Sequence, residues 1–201
     1  MKIIVWNSQD KCVADYHKLI RGCDVLCLLD CGQWTVPMYA LQIQKGLFHW
    51  KVEHEGLSYD IFYCLEKVAF ICRDGLYSGE SVLYSIHSNI GSLIGIRLQD
   101  DFWLFAHHEP NLVNAYHIGE FYLREISDRF RKAAFIADFK KKSYSWVQET
   151  VGKLYCIALP EGYYPHTVNY LFTIHVACTD LYLLEGYSET SNQPTFFELD
   201  I

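Results

Sequence analysis

Short apolar segments of strand character recur along the whole chain, and they constrain its fold more than any other feature. They are rich in β-branched and aromatic residues, and glycine, aspartate or serine bounds most of them. The predicted strands cover residues 2–6, 25–29, 59–65, 68–72, 81–86, 92–98, 102–107, 133–137, 154–158, 170–177, 180–185 and 195–199. So many short strands predict packed sheets rather than a helical bundle.

Two segments have the periodicity of helices instead. Ser8 can cap a helix over residues 8–21, which Gly22 would end. A longer helix is predicted over residues 112–131, where apolar side chains recur every four positions from Ile118. The chain therefore opens strand–helix–strand, which favours parallel pairing of its first two strands, and continues with antiparallel hairpins. We expect one domain over residues 1–201, a mixed α/β fold of two packed sheets flanked by helices.

The composition restricts the classes of partner. Apolar residues make up 51% and charged residues 20%, which is typical of a folded globular domain, and the longest apolar runs are far too short to span a membrane. The net charge is −7. Because cations supply most of the affinity of nucleic-acid binders, nucleic acid is not the expected partner.

The cysteines indicate a reducing compartment. The chain has eight cysteines but no Cys-x-x-Cys pair, and most of the eight lie in apolar, strand-like runs. Cys23, Cys27 and Cys31 would share a face in a helix, but their segment is strand-like, so a zinc site is not expected. No secretory signal precedes the first strand. We expect a cytoplasmic protein, or one exported without a cleaved signal.

Polar residues follow several apolar runs, at the carboxyl ends of strands where sites in open α/β sheets lie. Asparagine and aspartate oxygens suit Mg²⁺, and an imidazole suits phosphate binding or proton transfer. Asparagine and aspartate are also ordinary turn formers, so a structural role is equally consistent with them. The candidates are Asn7, Asp30, His107, Asp138, Asn169, Asn192 and Gln193.

Four longer motifs place these candidates in order. The first strand ends with Trp6-Asn7. Further along the chain the four motifs are GIRLQDDFWLFAH at residues 95–107, FIADFK at 135–140, TVNYLF at 167–172 and SNQP at 191–194. This order resembles the endonuclease/exonuclease/phosphatase (DNase I-like) superfamily, and within it the cytolethal distending toxin B subunit. The resemblance implies a four-layer α/β/β/α sandwich of two mixed sheets flanked by helices.

The resemblance also implies roles for individual residues. In such a site Asn7 and an acidic residue at position 30 would hold Mg²⁺, and His107 would contact the scissile phosphate. Asp138 would orient the attacking water. A second histidine, supported by an aspartate, would take part in the acid–base step.

The chain departs from that pattern at five positions. Asp30 stands where the family has glutamate, and Lys140 where it has asparagine. Asn169 and Asn192 replace aspartates, and Gln193 replaces the second histidine. Glutamine has no titratable proton near neutral pH, and loss of one general acid–base group typically costs about 10²–10⁴-fold in rate.

These departures predict a pseudoenzyme that retains the scaffold for binding a protein or ligand partner and needs no cofactor. The alternative is a divalent-metal-dependent phosphoesterase, either a nuclease or a phosphatase, that uses Mg²⁺ in a rearranged site. We expect Asn7, Asp30, His107 and Asp138 to converge at one end of the sandwich. His108 is expected to be a half-exposed strand residue, because neighbours in a strand point to opposite faces.

Overall fold

Fourteen strands in two sheets account for most of the residues that the structure describes. This computed structural model describes residues 1–8, 16–85, 92–108, 126, 128–139, 153–155, 168–184 and 193–201. A helix, α1, spans Tyr16–Ile20. The strands are β1 (Lys2–Asn7), β2 (Val25–Gly32), β3 (Leu41–Gln44), β4 (Leu47–His54), β5 (Leu57–Cys64), β6 (Glu66–Arg73), β7 (Tyr77–Ser85), β8 (Ser92–Leu98), β9 (Phe102–His108), β10 (Lys132–Phe139), β11 (Lys153–Tyr155), β12 (Val168–Ile174), β13 (Ala177–Leu183) and β14 (Thr195–Asp200).

The first sheet contains eight strands in the order β13-β14-β1-β2-β6-β5-β4-β3. β1 and β2 are parallel, with Ile3 opposite Val25, and α1 lies in the connection between them. This confirms the predicted strand–helix–strand opening. The other pairs of the sheet are antiparallel, and short turns join β3 to β4, β4 to β5 and β5 to β6.

The second sheet contains six strands in the order β11-β12-β10-β9-β8-β7. β9 and β10 are parallel, with His107 opposite Ala137, and the remaining pairs are antiparallel. Both sheets are therefore mixed. The predicted fold class, two mixed sheets packed face to face in a DNase I-like sandwich, is confirmed.

The facing sides of the two sheets form the main core. In β1 the side chains of Ile3 and Val5 lie in this core, whereas those of Ile4 and Trp6 belong to a second cluster on the outer face. In β9 the core side chains are Phe102, Leu104 and Ala106. Such alternation is the period of two that a strand imposes. Burying one large apolar side chain stabilises the fold by about 1.5–3 kcal/mol.

Residues outside the strands cover the outer faces of the two sheets. Leu19 and Ile20 of α1 are buried in the outer cluster of the first sheet. On the second sheet the ring of Phe130 lies 4.9 Å from that of Trp103 and 4.8 Å from that of Phe105, measured between centroids. Among the described residues, no helix is long and apolar enough to cross a membrane.

The predicted helices fall partly on residues outside the described ranges. Residues 9–15 of the first lie outside, and α1 ends at Ile20, where Arg21 and Gly22 form a turn. Residues 112–125 and 127 of the second also lie outside. Residues 126, 128 and 129 are helical, so this helix ends before Phe130, slightly earlier than the predicted end.

Two predictions about strands were wrong. β3 and β4 were not predicted as strands, although both belong to the first sheet. The predicted strand over residues 170–177 is interrupted by a turn at His175, whose φ is 52°, and Ala177 already belongs to the next strand. A two-residue turn within an apolar run has no strong sequence signal, whereas the alternation of Phe48, Trp50 and Val52 with polar residues in β4 is one that the prediction missed.

The described cysteines behave as buried thiols. Cys23, Cys27, Cys31, Cys64 and Cys72 are buried, Cys178 is half-buried, and the six form no disulfide with one another. Cys12 and Cys156 lie outside the described residues. Burial raises the pKa of Cys23 to about 12 and that of Cys72 well above its usual value, which makes both thiols unreactive.

Candidate functional site

The carboxyl end of β1 brings Asn7 to one end of the sandwich. Asn7 is 2% exposed and follows the alternation of Ile3 and Val5, so it lies on the inner face of the sheet. It pairs with Leu29 of β2, and the next backbone amide, that of Ser8, donates to the Leu29 carbonyl at 2.9 Å. The end of β2 therefore lies directly beside Asn7.

A β-bulge at this end of β2 sets the direction of Asp30. The register against β6 shifts between Leu29 and Gly32, and Asp30 has a φ of 49°. Strict alternation would keep Cys31 on the inner face with Leu29, but Cys31 packs in the outer cluster. The bulge thus turns Asp30 away from the outer face, as bulges near sites commonly do. The Ser8 hydroxyl donates to the Asp30 carbonyl at 3.1 Å and holds this conformation.

The structure corrects the expectation for His108. Its side chain is 7% exposed, not half-exposed, and its Nε2 lies 3.5 Å from Oδ1 of Asp30. The reason is the alternation of β9, which places His108 on the same inner face as Leu104 and Ala106. The same alternation places His107, which is 1% exposed, on the face of Trp103 and Phe105. Both faces of β9 are apolar, so only the packing of the sheets shows that His108, and not His107, faces Asp30.

The remaining candidates end neighbouring strands. Asp138 in β10 pairs with Asn169 in β12, next to the pair of Ala137 and His107. Their backbones lie at the end of the second sheet that His108 brings against Asp30. The side chains of Asp138 and Asn169, and all of Lys140 and Asn192, lie outside the described part of the chain.

Gln193 lies near the end of β1. It comes two residues before Thr195, the first residue of β14, which pairs with Val5 of β1 in antiparallel register. Gln193 is half-buried. The fold therefore brings together Asn7, Asp30 and His108, and the backbones of His107, Asp138, Asn169 and Gln193 lie toward the same end of the sandwich.

Tyr63 holds the segment that follows the bulge. Its hydroxyl accepts a hydrogen bond from the Trp34 amide and donates one to the Gly32 carbonyl, both at 3.0 Å. The rings of Tyr63 and Trp34 are stacked with centroids 5.4 Å apart, and the Trp34 indole donates to the Cys31 carbonyl at 3.0 Å. Residues 31–34 are thereby fixed directly after Asp30.

We expect Tyr63→Phe to lower the free energy of unfolding by about 1–3 kcal/mol, because the buried Gly32 carbonyl loses its donor. Urea denaturation measures this loss. Tyr182→Phe is the matched control, since Tyr182 is 43% exposed and its change is expected to cost less than about 0.5 kcal/mol. Equal stability of the two variants would contradict the role given to Tyr63.

The solved structures that the chain resembles share one fold. The cytolethal distending toxin of Haemophilus ducreyi matches with a TM-score of 0.64 and 14% identity, over 100% of this chain and 98% of that one. D. rerio TDP2, in complex with a single-strand DNA product, matches with a TM-score of 0.62 and 11% identity, over 100% and 99%. The chain has the DNase I-like fold.

Another structure with the DNase I-like fold is similar over its whole length. It is the 3′–5′ exonuclease NExo of Neisseria meningitidis, with a TM-score of 0.55, 12% identity and 100% coverage of both chains. The sequence matches no family model and no curated protein. At these identities the similarity establishes the fold, and the function has to be argued from the site.

The donors of the site fit Mg²⁺ poorly. Asn7 offers one buried amide oxygen, and Asp30 offers the carboxylate. The Asp30 carboxylate already faces the His108 imidazole at 3.5 Å, so a cation would compete with that contact. Within the described ranges, no three histidine, cysteine, aspartate or glutamate side chains are grouped to hold a metal ion. Mg²⁺ prefers an octahedral set of oxygen ligands, and of the described side chains Asn7 and Asp30 would supply two, with water completing the set.

Proposed function

We propose that this chain is a pseudoenzyme with the DNase I-like fold, which binds a partner and has little or no phosphoesterase activity. The observation that carries the proposal is the position of Gln193, two residues before Thr195, which pairs with Val5 near the end of β1. The resemblance to the superfamily implies a histidine at that position. A glutamine can donate and accept hydrogen bonds, but it cannot act as a general acid or base.

The other substitutions act in the same direction. Asp30 is one methylene shorter than glutamate, and its carboxylate lies against His108. Asparagines at 169 and 192 remove two negative charges that the resemblance implies, and Lys140 adds a positive one. Each change weakens either cation binding or the stabilisation of an imidazolium. Together they support loss of catalysis rather than a moderate reduction.

A protein is the proposed partner. The net charge of −7 disfavours a phosphate backbone. Three large apolar side chains are exposed in succession after the Trp34 segment, Met38, Tyr39 and Leu41, with exposures of 105%, 72% and 63%. A cluster of exposed apolar side chains is typical of protein–protein contact surfaces. A reducing compartment such as the cytoplasm remains the proposed location, in keeping with the free, mostly buried thiols among the described cysteines.

One observation favours the alternative, a divalent-metal-dependent phosphoesterase with a rearranged site. His108 is a buried imidazole at the site, 3.5 Å from Asp30, and it could serve where Gln193 cannot. In that case Asn7 and Asp30 would hold Mg²⁺, and His108 would supply the acid–base group. The two proposals differ in whether the site binds a cation.

Thermal unfolding with and without millimolar Mg²⁺ or Mn²⁺ separates them. We expect the Tm to change by less than about 1 °C, because Asp30 is already engaged. A cation at one hundred times its Kd would instead stabilise the fold by about 2.7 kcal/mol, or about 5–10 °C for a chain of this size. Asp30→Asn tests the site, and Asp200→Asn, at an exposed position, is its matched control. A cation-dependent rise in Tm that is lost in Asp30→Asn but kept in Asp200→Asn would contradict the pseudoenzyme proposal.

A further inference from the structure

A second cluster of polar side chains lies on the inner face of the first sheet, far from Asp30. It contains His49 of β4 and Asp60 of β5. Asp60 is opposite Cys72, which is opposite Val25, so Asp60 is level with the start of β2. Asp30 is five residues further along β2, roughly 16 Å away at the rise of a strand. The cluster is therefore separate from the site described above.

His49 and Asp60 form a close pair. The Nε2 of His49 lies 2.7 Å from Oδ1 of Asp60, and the Asp60 side chain is only 4% exposed. The His49 ring is stacked on Phe62, with centroids 4.5 Å apart and planes at 8°, and it also contacts Tyr77. This packing holds the ring in one orientation.

The pairing determines what the other ring nitrogen can do. Because a carboxylate accepts from Nε2–H, the neutral ring carries its lone pair on Nδ1. The His49 side chain makes no other hydrogen bond to the part of the chain that the structure describes. In the neutral ring, Nδ1 would therefore be the acceptor that a ligand could use.

His49 lines a cavity of about 450 Å³. The cavity lies where β3, the edge strand of the first sheet, approaches β7, the edge strand of the second. Its volume is within the range of small-molecule sites, about 300–1,000 Å³. Its lining is mainly aromatic and aliphatic, with one carboxylate: Leu41, Ile43, His49, Tyr77, Glu80 and Trp103. Burial raises the pKa of Tyr77, so its hydroxyl stays neutral.

The charges around the cavity are mainly negative. Arg97 binds both Glu80, at 2.6 Å, and Asp101, at 2.9 Å, so it faces two carboxylates. Lys51 likewise lies between Asp74, at 2.6 Å, and Asp60, at 3.8 Å. Each cation is therefore shared by two carboxylates. An anionic ligand would meet like charge here, whereas a cationic one would be attracted.

We propose that this cavity is a binding site for a small aromatic amine. The ring of the ligand would pack between the aromatic and aliphatic walls, and a ring N–H would donate to Nδ1 of His49. The ammonium group would lie near Glu80, whose carboxylate it would share with Arg97. Aromatic walls with a few fixed polar groups are the usual composition of a small-molecule site, and they bind a planar cation in preference to an anion of the same shape.

Two probes with the same ring test the proposal, tryptamine and indole-3-propionate. Titration of isotope-labelled protein, followed by NMR, should show that tryptamine shifts the resonances of Leu41, Ile43 and His49. Indole-3-propionate should bind about tenfold more weakly because of its charge. No shift at these residues with millimolar tryptamine, or equal affinity for both probes, would overturn the proposal.

Variants test the two named groups. His49→Phe keeps the ring stack but removes the acceptor, and it should weaken tryptamine binding by about fivefold. If His49→Phe does not fold, Glu80→Gln tests the proposed site instead. Glu80 is exposed, so its replacement leaves the core intact. Glu80→Gln should weaken tryptamine but not indole-3-propionate. Glu53→Gln, the same change at an exposed position that does not line the cavity, should have no effect. Unchanged tryptamine binding in Glu80→Gln would overturn the proposed binding site.

Discussion

Phe70→Ala is expected to lower the free energy of unfolding by about 3–5 kcal/mol, a large part of the stability of a domain. Phe70 is fully buried in β6, where it is opposite Cys27 of β2 and Phe62 of β5. It belongs to the core between the sheets, to which β9 also contributes. Truncation would leave a cavity in this core between the two sheets.

Urea denaturation measures this effect, with Leu57→Ala as the control. Leu57 is 47% exposed at the turn between β4 and β5, and its truncation should cost less than about 0.5 kcal/mol. A similar loss of unfolding free energy in both variants would mean that Phe70 is not at the centre of a packed sandwich. It would also contradict the geometry described for the candidate site.

Asp60→Ala is expected to cost about 2–3 kcal/mol, because it leaves the His49 donor largely buried without its acceptor. Asp60→Asn retains an acceptor oxygen and should cost less. Asp74→Ala is the matched control: Asp74 also binds Lys51, but its side chain is 48% exposed. An exposed ion pair is worth at most about 1 kcal/mol. Equal costs for Asp60→Ala and Asp74→Ala would contradict the buried pair that defines the proposed cavity site.

Much of the fold could be predicted because its central strands are buried on both faces. β1 and β2 are almost continuously apolar, and Gly22 ends the helical segment between them, so both the strands and their parallel pairing could be inferred. β4 was not predicted, although Phe48, Trp50 and Val52 alternate there with polar residues and pack on the outer face of the sheet. This alternation is the ordinary signal of a half-buried strand, so β4 could have been identified from the sequence.

The candidate site was only partly predictable for a related reason. Asn7 and Asp30 could be identified as candidate site residues because each ends an apolar run. The choice between His107 and His108 depends on which face of β9 meets the other sheet, which is a tertiary property. The direction of Asp30 depends on a bulge whose φ of 49° has no signal in the residues around it.

Direct assay of phosphoester cleavage tests the central claim. Purified protein would be incubated with supercoiled DNA, phosphoinositides and generic phosphoesters, in Mg²⁺ and in Mn²⁺, beside His107→Ala and His108→Ala. We predict neither nicking nor phosphate release above that of the two variants, because Gln193 cannot transfer a proton and Asp30 is engaged by His108. Robust metal-dependent turnover that is lost in His108→Ala or His107→Ala would contradict the pseudoenzyme account and establish the phosphoesterase instead.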